Sequence, residues 1–170
     1  MDNESLIQSL NSVNHQSMYL IHWSKEPIEQ VVPNSQIEYS YKPNGLWISD
    51  EKDYGWKQWC EDNDYPCGTI AYSINFIPNH KILILRNLND LKEFTYTYGY
   101  SYYGLSRIDW VAVAKKYHGI LITPYQSVNY SCEEYQWYYG WDCASGCVWN
   151  PVSIQILPLV PTPKATQILA

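Results

Sequence analysis

A short alternating segment that runs into a tryptophan-rich helix constrains the fold of this chain more than any other feature. In residues 45–50, apolar and β-branched residues alternate with Ser and Asp, which predicts a strand. Trp56 and Trp59 follow three positions apart, so they share one face of a predicted helix. Two such indoles would flank a slot for a flat aromatic ligand, because ring stacking contributes about 0.5–1.5 kcal/mol beyond the buried area. The alternative is that both tryptophans belong to the core.

Composition limits the classes of protein to which the chain can belong. Its 170 residues suffice for one domain with a sizeable core. Aromatic and charged residues each make up 16%, a bias toward flat amphipathic side chains at surfaces and clefts. The net charge of −6 argues against a broad phosphate-binding face and therefore against a generic duplex binder. Bases stacked on aromatic side chains remain compatible with this composition.

The order of hydrophobic segments predicts an α+β fold rather than a doubly wound parallel sheet, because strands often follow one another without a helix between them. We expect a single domain over residues 1–157 and a C-terminal tail over residues 158–170. The tyrosine-rich residues 95–103 and 126–140 are expected to be loops. Strands are predicted at residues 18–23, 45–50, 73–77, 82–85, 120–123, 146–150 and 153–157, and helices at residues 4–14, 89–94 and 108–117 and around Trp56.

The cysteines and the N-terminus point to a reducing, soluble environment. Five cysteines are an odd count, and they lack the close pairs of a zinc site, so we expect reduced thiols and no metal. The acidic N-terminus has no basic region followed by an apolar run, and no apolar stretch approaches the ~20 residues that cross a bilayer. These features predict a cytoplasmic protein without a membrane partner.

Three short motifs follow one another along the chain. The first is His22-Trp23-Ser24, the second is the predicted strand over residues 45–50, and the third is the predicted strand that begins near Ser145. Together they resemble the NAD-binding strands of ADP-ribosyltransferases, in particular the poly(ADP-ribose) polymerase-like branch. That branch has a His-Gly-Ser/Thr strand, a Gly-Ile-Tyr-Phe-Ala-Asp strand followed by a helix with an aromatic-Cys pair, and a late strand with a glutamate. The matching positions in the second and third motifs are Trp47, Trp59, Cys60 and, at the glutamate, Ser145.

The resemblance implies a fold and a reaction. The fold would be a split pair of small antiparallel sheets with flanking short helices and an NAD cleft between them. NAD would be the co-substrate, and ADP-ribose would pass to a macromolecular acceptor, either protein or nucleic acid, with release of nicotinamide. Small stand-alone members of the family are often toxins, and others are defence enzymes, which implies a similar role here.

The same resemblance assigns roles to individual residues. His22 would bond a ribose hydroxyl, with Trp23 and Ser24 beside it, and the carboxamide would meet their backbone. Serine at position 145 cannot supply the negative charge of the family glutamate, so Ser145 would orient the ribose or the acceptor. Trp47 and Trp59 would sandwich nicotinamide, with Trp56 completing the aromatic wall. The charge that stabilises the oxocarbenium would come from Asp142 or from Glu133 or Glu134.

Two other classes of function stay open at this stage. The first is a non-catalytic, aromatic-lined module that binds a nucleotide, ADP-ribose or a sugar, which the serine at position 145 favours. The second is a protein mimic or inhibitor that acts through an acidic, aromatic surface. His22 also has an ordinary structural interpretation, as a core histidine between Ile21 and Trp23.

Overall fold

The computed structural model describes residues 18–159, so the helix expected at residues 4–14 lies outside the described part. This part is an α+β fold, as expected, in which strands dominate. None of its helices is long and apolar enough to cross a membrane. The strands are β1 Leu20–Ser24, β2 Leu46–Asp50, β3 Ile70–Phe76, β4 Ile82–Leu85, β5 Gly99–Tyr102, β6 Leu105–Ile108, β7 Gly119–Ile122, β8 Ser145–Val148 and β9 Ile154–Pro158. The helices are α1 Trp56–Asp62, α2 Leu88–Tyr98 and α3 Trp110–Ala114, with 3-10 turns at Gln136–Gly140 and Pro151–Ser153.

Seven of the strands form one mixed sheet in the order β4-β7-β8-β2-β1-β3-β9. Only β4 and β7 run parallel, and all other neighbours are antiparallel. The remaining two strands, β5 and β6, form a separate hairpin. The three predicted motif strands, β1, β2 and β8, therefore lie side by side, although β8 is about a hundred residues from β2 in sequence.

The sheet opens between β1 and β2. These strands pair only through Leu20↔Asp50 and Ile21↔Ser49. Beyond that point β1 continues its ladder with β3 as far as Ser24, and β2 continues its ladder with β8 as far as Leu46. The sheet is thus divided into β1-β3-β9 and β4-β7-β8-β2, joined at a two-residue seam. This division leaves room for side chains between the free halves of β1 and β2.

Each face of the sheet has its own apolar cluster. On one face, β-strand side chains such as Leu20, Ile48 and Ile74 pack together. On the other face, α2, α3 and the segment before β8 cover the sheet, and tryptophans fill the space. Trp110, Trp137 and Trp141 are almost completely buried. With Trp149, four of the eight tryptophans are therefore buried in the core.

Residues 95–103 are not a loop, contrary to the sequence prediction. α2 continues to Tyr98 because Leu91 and Phe94 are buried and Thr95 Oγ1 returns a hydrogen bond of 2.8 Å to the Leu91 carbonyl. The tyrosines that follow enter the β5–β6 hairpin, whose turn residues Tyr103 and Gly104 both have positive φ angles of 50° and 78°. Two such residues are typical of a two-residue hairpin turn, and Tyr-Gly is a less familiar version of it than Asn-Gly.

The helix expected at residues 108–117 is shorter than predicted. α3 covers Trp110–Ala114, and Ile108 belongs to β6. Asp109 caps this helix, because its side chain accepts a hydrogen bond of 2.9 Å from the Ala112 N–H. The expected loop over residues 126–140 holds through most of its length and then forms the 3-10 turn Gln136–Gly140.

Candidate functional site

A cleft of about 310 Å³ lies where β1 and β2 separate. This volume falls at the small end of the range for ligand pockets, about 300–1,000 Å³. All three motif strands contribute to it, together with the start of α1 and the segment before β8. Its lining residues are Ile21, His22, Trp23, Lys42, Trp47, Ile48, Ser49, Trp56, Gly140, Asp142, Cys143 and Ser145.

His22 bridges the opening between the two strands. Its Nδ1 lies 2.6 Å from the backbone oxygen of Trp47, at a level where β1 and β2 no longer pair. Since a carbonyl only accepts, Nδ1 carries the proton. Burial lowers the pKa of His22, and the bond to Trp47 opposes this effect to a smaller extent. The ring is therefore neutral at pH 7, and its Nε2 is a hydrogen-bond acceptor, suited to a ligand hydroxyl.

Glu51 is a carboxylate that the sequence analysis missed, and it lies behind the cleft, bonded to two residues that line it. Its Oε1 accepts a hydrogen bond of 2.9 Å from Trp23 Nε1 and another from the Ser49 hydroxyl. Gly55 leaves room for it, because a Cβ there would lie 2.7 Å from both Cδ and Oε2 of Glu51. Trp23 and Ser49 both line the cleft. The side chain is thus fixed from β1, β2 and the turn before α1, and Oε2 accepts no hydrogen bond from the residues described.

The Trp47 ring forms an aromatic wall of the cleft, and the ammonium group of Lys42 lies over it. This ring meets Trp141 at a centroid distance of 5.2 Å and an angle of 64°. Lys42 Nζ lies 4.4 Å from the centroid of the Trp47 ring. A flat ligand that stacks on this face of Trp47 would displace the lysine, which is a long and flexible side chain.

Trp56 and Trp59 do not flank a slot. Their rings stack directly on each other, with centroids 5.0 Å apart and planes at 11°, so no ligand fits between them. Tyr65 closes the edges of both rings. Trp56 lines the cleft, whereas Trp59 does not, and the expected sandwich of nicotinamide between Trp47 and Trp59 is wrong. Residues three apart on a helix are neighbours, so the two large rings meet and bury their faces against each other.

The segment before β8 supplies the other wall of the cleft. Asp142 lines the cleft and is exposed, whereas Ser145 is only 7% exposed. The Ser145 hydroxyl donates a hydrogen bond of 3.0 Å to the Cys143 carbonyl. Burial raises the pKa of the Cys143 thiol to about 12, so this thiol is protonated at neutral pH and is not a nucleophile.

Besides Trp59, three of the predicted site residues do not line the cleft. The Ser24 hydroxyl donates to the carbonyl of Glu26, two residues further along the chain. Glu133 is exposed, and the backbone oxygen of Glu134 accepts a bond of 2.7 Å from Thr95 Oγ1. Both glutamates precede the 3-10 turn, on a segment tied to α2 rather than to the cleft.

The structure adds Lys42, Ser49 and Glu51 to the site. The period of two along β2 places residues 47, 49 and 51 on one face, and this pattern could have identified Ser49 and Glu51 from the sequence. No such signal existed for Lys42, which reaches the cleft from the turn before β2. Among residues 18–159, no group of three or more His, Cys, Asp or Glu side chains is placed to hold a metal ion.

No family model, no curated protein and no solved structure matches this chain. The case for a function therefore depends on the cleft and on the residues that form it.

Proposed function

We propose that the cleft binds NAD and that the protein is an NAD-dependent ADP-ribosyltransferase. One observation carries the proposal. The three motifs that resemble NAD-binding strands are scattered from residue 22 to residue 145, yet β1, β2 and β8 are neighbours and all border the same opening in the sheet. If the three resemblances were accidental, there would be no reason for the three segments to border the same cleft.

The contacts that would hold NAD follow from the chemistry of the lining. Nicotinamide would stack on Trp47 after Lys42 moves aside, with Trp23 and Trp56 completing the aromatic wall. The neutral His22 would accept a hydrogen bond from a ribose hydroxyl through Nε2. The displaced Lys42 would then be available to the pyrophosphate of NAD, since its Nζ is a cation at the mouth of the cleft.

The reaction needs a negative charge beside the ribose. The bond between C1′ of the ribose and the nicotinamide nitrogen breaks, and its electron pair leaves with nicotinamide, which becomes neutral. The cation that develops at C1′ is then attacked by an acceptor oxygen or nitrogen, which loses its proton. A carboxylate near C1′ stabilises this cation, an effect worth several kcal/mol in a partly dry site.

Glu51 is the carboxylate that the geometry favours for this role. Ser49, which hydrogen-bonds to it, is the cross-strand partner of Ser145, the position of the family glutamate. The negative charge that Ser145 lacks on β8 would thus be supplied by Glu51, which follows the neighbouring strand β2. Asp142, the residue expected from the sequence, is exposed at the rim and is the competing candidate. The acceptor would be a protein or a nucleic acid that meets NAD in the cytoplasm.

The test is release of nicotinamide from NAD, with binding measured in parallel by quenching of tryptophan fluorescence. We expect His22→Ala to lower both affinity and release at least tenfold, since it removes the ribose contact. His118→Ala is the matched control, because His118 is also partly buried with Nδ1 bonded, at 2.7 Å to Ser153 Oγ, but lies outside the cleft. Equal loss in both variants would contradict the proposal.

Two carboxylate variants test which residue supplies the negative charge beside the ribose. We expect Glu51→Gln to lower release about 10²-fold or more while NAD still binds, and Asp142→Asn to have a smaller effect. The reverse order would return the role to Asp142.

A non-catalytic binding module is the second candidate. It is favoured by Ser145, whose hydroxyl is turned to the Cys143 carbonyl and carries no charge. This candidate predicts that NAD or ADP-ribose quenches tryptophan fluorescence in the wild type while no nicotinamide is released, with or without a cell lysate as the source of acceptors.

A further inference from the structure

A second cavity, of about 460 Å³, lies on the far side of the wall that bounds the cleft. It is formed by β6, the 3-10 turn Gln136–Gly140 and the segments before them. Aromatic rings and one arginine dominate its surface. The lining residues are Tyr41, Leu105, Ser106, Arg107, Tyr130, Gln136 and Tyr139.

Arg107 is the unusual residue of this cavity. Its guanidinium lies 4.5 Å from the centroid of the Tyr41 ring. Its Nε is buried and has no hydrogen-bond partner among residues 18–159. An arginine carries five donors, and buried polar groups in folded proteins are nearly always paired. An unpaired buried Nε beside a cavity indicates a missing acceptor.

The surroundings of Arg107 select an anionic, aromatic ligand. No carboxylate lines the cavity. The nearest acidic group in sequence, Asp109, does not line the cavity and caps α3, where it accepts the Ala112 N–H at 2.9 Å. Gln136 Oε1 accepts the Ser106 N–H at 2.9 Å, so its amide nitrogen is a further donor beside the cavity. Tyr139, 68% exposed, supplies a ring on which a flat group can stack.

The cavity and the cleft share a wall. Gly140 lines the cleft, and a Cβ at this position would lie 2.9 Å from Tyr41 Cε1 and 3.2 Å from the Lys42 side chain. Tyr41 therefore faces the cavity side of the wall, and its neighbour Lys42 reaches the cleft side. The cationic side chains of Lys42 and Arg107 therefore lie on opposite sides of this wall.

We propose that the Arg107 cavity is a nucleotide-binding site, in which the guanidinium holds the phosphate and a tyrosine ring stacks on the base. Arginine suits this role because its planar fork matches the geometry of a phosphate. Base stacking on aromatic side chains is strong and tolerant of sequence. The site stands on its own contacts, whether or not the neighbouring cleft proves catalytic. The nucleotide would come from the adenylate end of a dinucleotide or from a nucleic-acid acceptor.

The test is calorimetric titration of the full chain with 5′-AMP and with adenosine. We expect 5′-AMP to bind at least tenfold more tightly than adenosine, and Arg107→Gln to abolish this preference. Arg86→Gln is the matched control, since Arg86 is the other arginine of the chain and is exposed. Arg107→Lys keeps the charge but not the fork, so we expect an intermediate preference, and it keeps the test valid if Arg107→Gln fails to fold.

Two further experiments distinguish the Arg107 cavity from the cleft, and a dinucleotide from a nucleic-acid acceptor as the source of the nucleotide. His22→Ala should leave the preference for 5′-AMP intact; a loss in His22→Ala that Arg107→Gln does not share would place the phosphate in the cleft and overturn the proposal. Equal affinity for 5′-AMP and adenosine, or no binding of either, would also overturn it. A short single-stranded oligonucleotide that competes with 5′-AMP supports an acceptor as the source, whereas competition by NAD alone supports a dinucleotide.

Discussion

At the scale of single residues, His22 is the group whose protonation the fold controls. Burial lowers its pKa from 6.5, so the folded ring stays neutral where an unfolded histidine begins to take up a proton. As pH falls below 6.5, the unfolded chain therefore binds more protons, and stability decreases. We predict that the free energy of unfolding of the wild type, minus that of His22→Asn, becomes smaller between pH 7.5 and pH 5. Urea denaturation at several pH values measures this difference.

The subtraction removes the contribution of His118. Burial also lowers the pKa of His118, so it gives both proteins the same pH dependence. A difference that stays constant with pH would show that His22 titrates alike in the folded and unfolded chains. It would also remove the basis for treating Nε2 as a hydrogen-bond acceptor.

At the scale of elements, the close pairing of β7, β8 and β2 depends on Gly146. This residue pairs with Leu121 on one side and Ile48 on the other, and a Cβ here would lie 2.1 Å from the Ile120 carbonyl oxygen. We predict that Gly146→Ala lowers the free energy of unfolding by about 3 kcal/mol, because backbone in a central strand cannot move away without breaking the ladder.

Gly104→Asn is the control for this prediction. Gly104 lies in the β5–β6 turn, has a φ of 78°, and a Cβ there would meet nothing within 4 Å. Asparagine tolerates positive φ, so we expect a change below about 1 kcal/mol. Denaturant unfolding of both variants checks the contrast, and equal destabilisation would show that space at Gly146 is not the determining factor.

Local signals predicted some elements and failed for others. β4 was found at its observed bounds and β2 within one residue, because alternation or a short apolar run was bordered by turn residues. The end of α2 was missed, because Tyr and Thr have little helical preference of their own. Burial of Phe94 and the side-chain bonds of Thr95 hold that segment helical.

At the scale of the whole molecule, the sequence indicated which segments meet but not how their side chains divide the space. His22, Trp47, Asp142 and Ser145 do line one cleft, because adjacent strands carry them there. Trp59 was misplaced, since the sequence cannot tell whether two indoles stack on a ligand or on each other. Alternation along β2 could have indicated Glu51, whereas Lys42 reaches the cleft from the turn before β2, which is a tertiary feature.

If NAD binds in the cleft as proposed, the opening in the sheet makes the stability of the molecule depend on NAD. NAD in the cleft would contact both β1 and β2, which pair over only two residues, so it would join the two parts of the sheet. At a concentration a hundred times its Kd, a ligand that binds only the folded state adds about 2.7 kcal/mol, equivalent to a rise in Tm of about 5–10 °C for a domain of this size. We predict this rise for Glu51→Gln, which should bind NAD without consuming it, and its loss when Trp47→Leu is added. Thermal denaturation followed by circular dichroism measures both. A Tm that NAD leaves unchanged in Glu51→Gln would mean that the cleft does not hold NAD, because binding to the folded state alone must stabilise it.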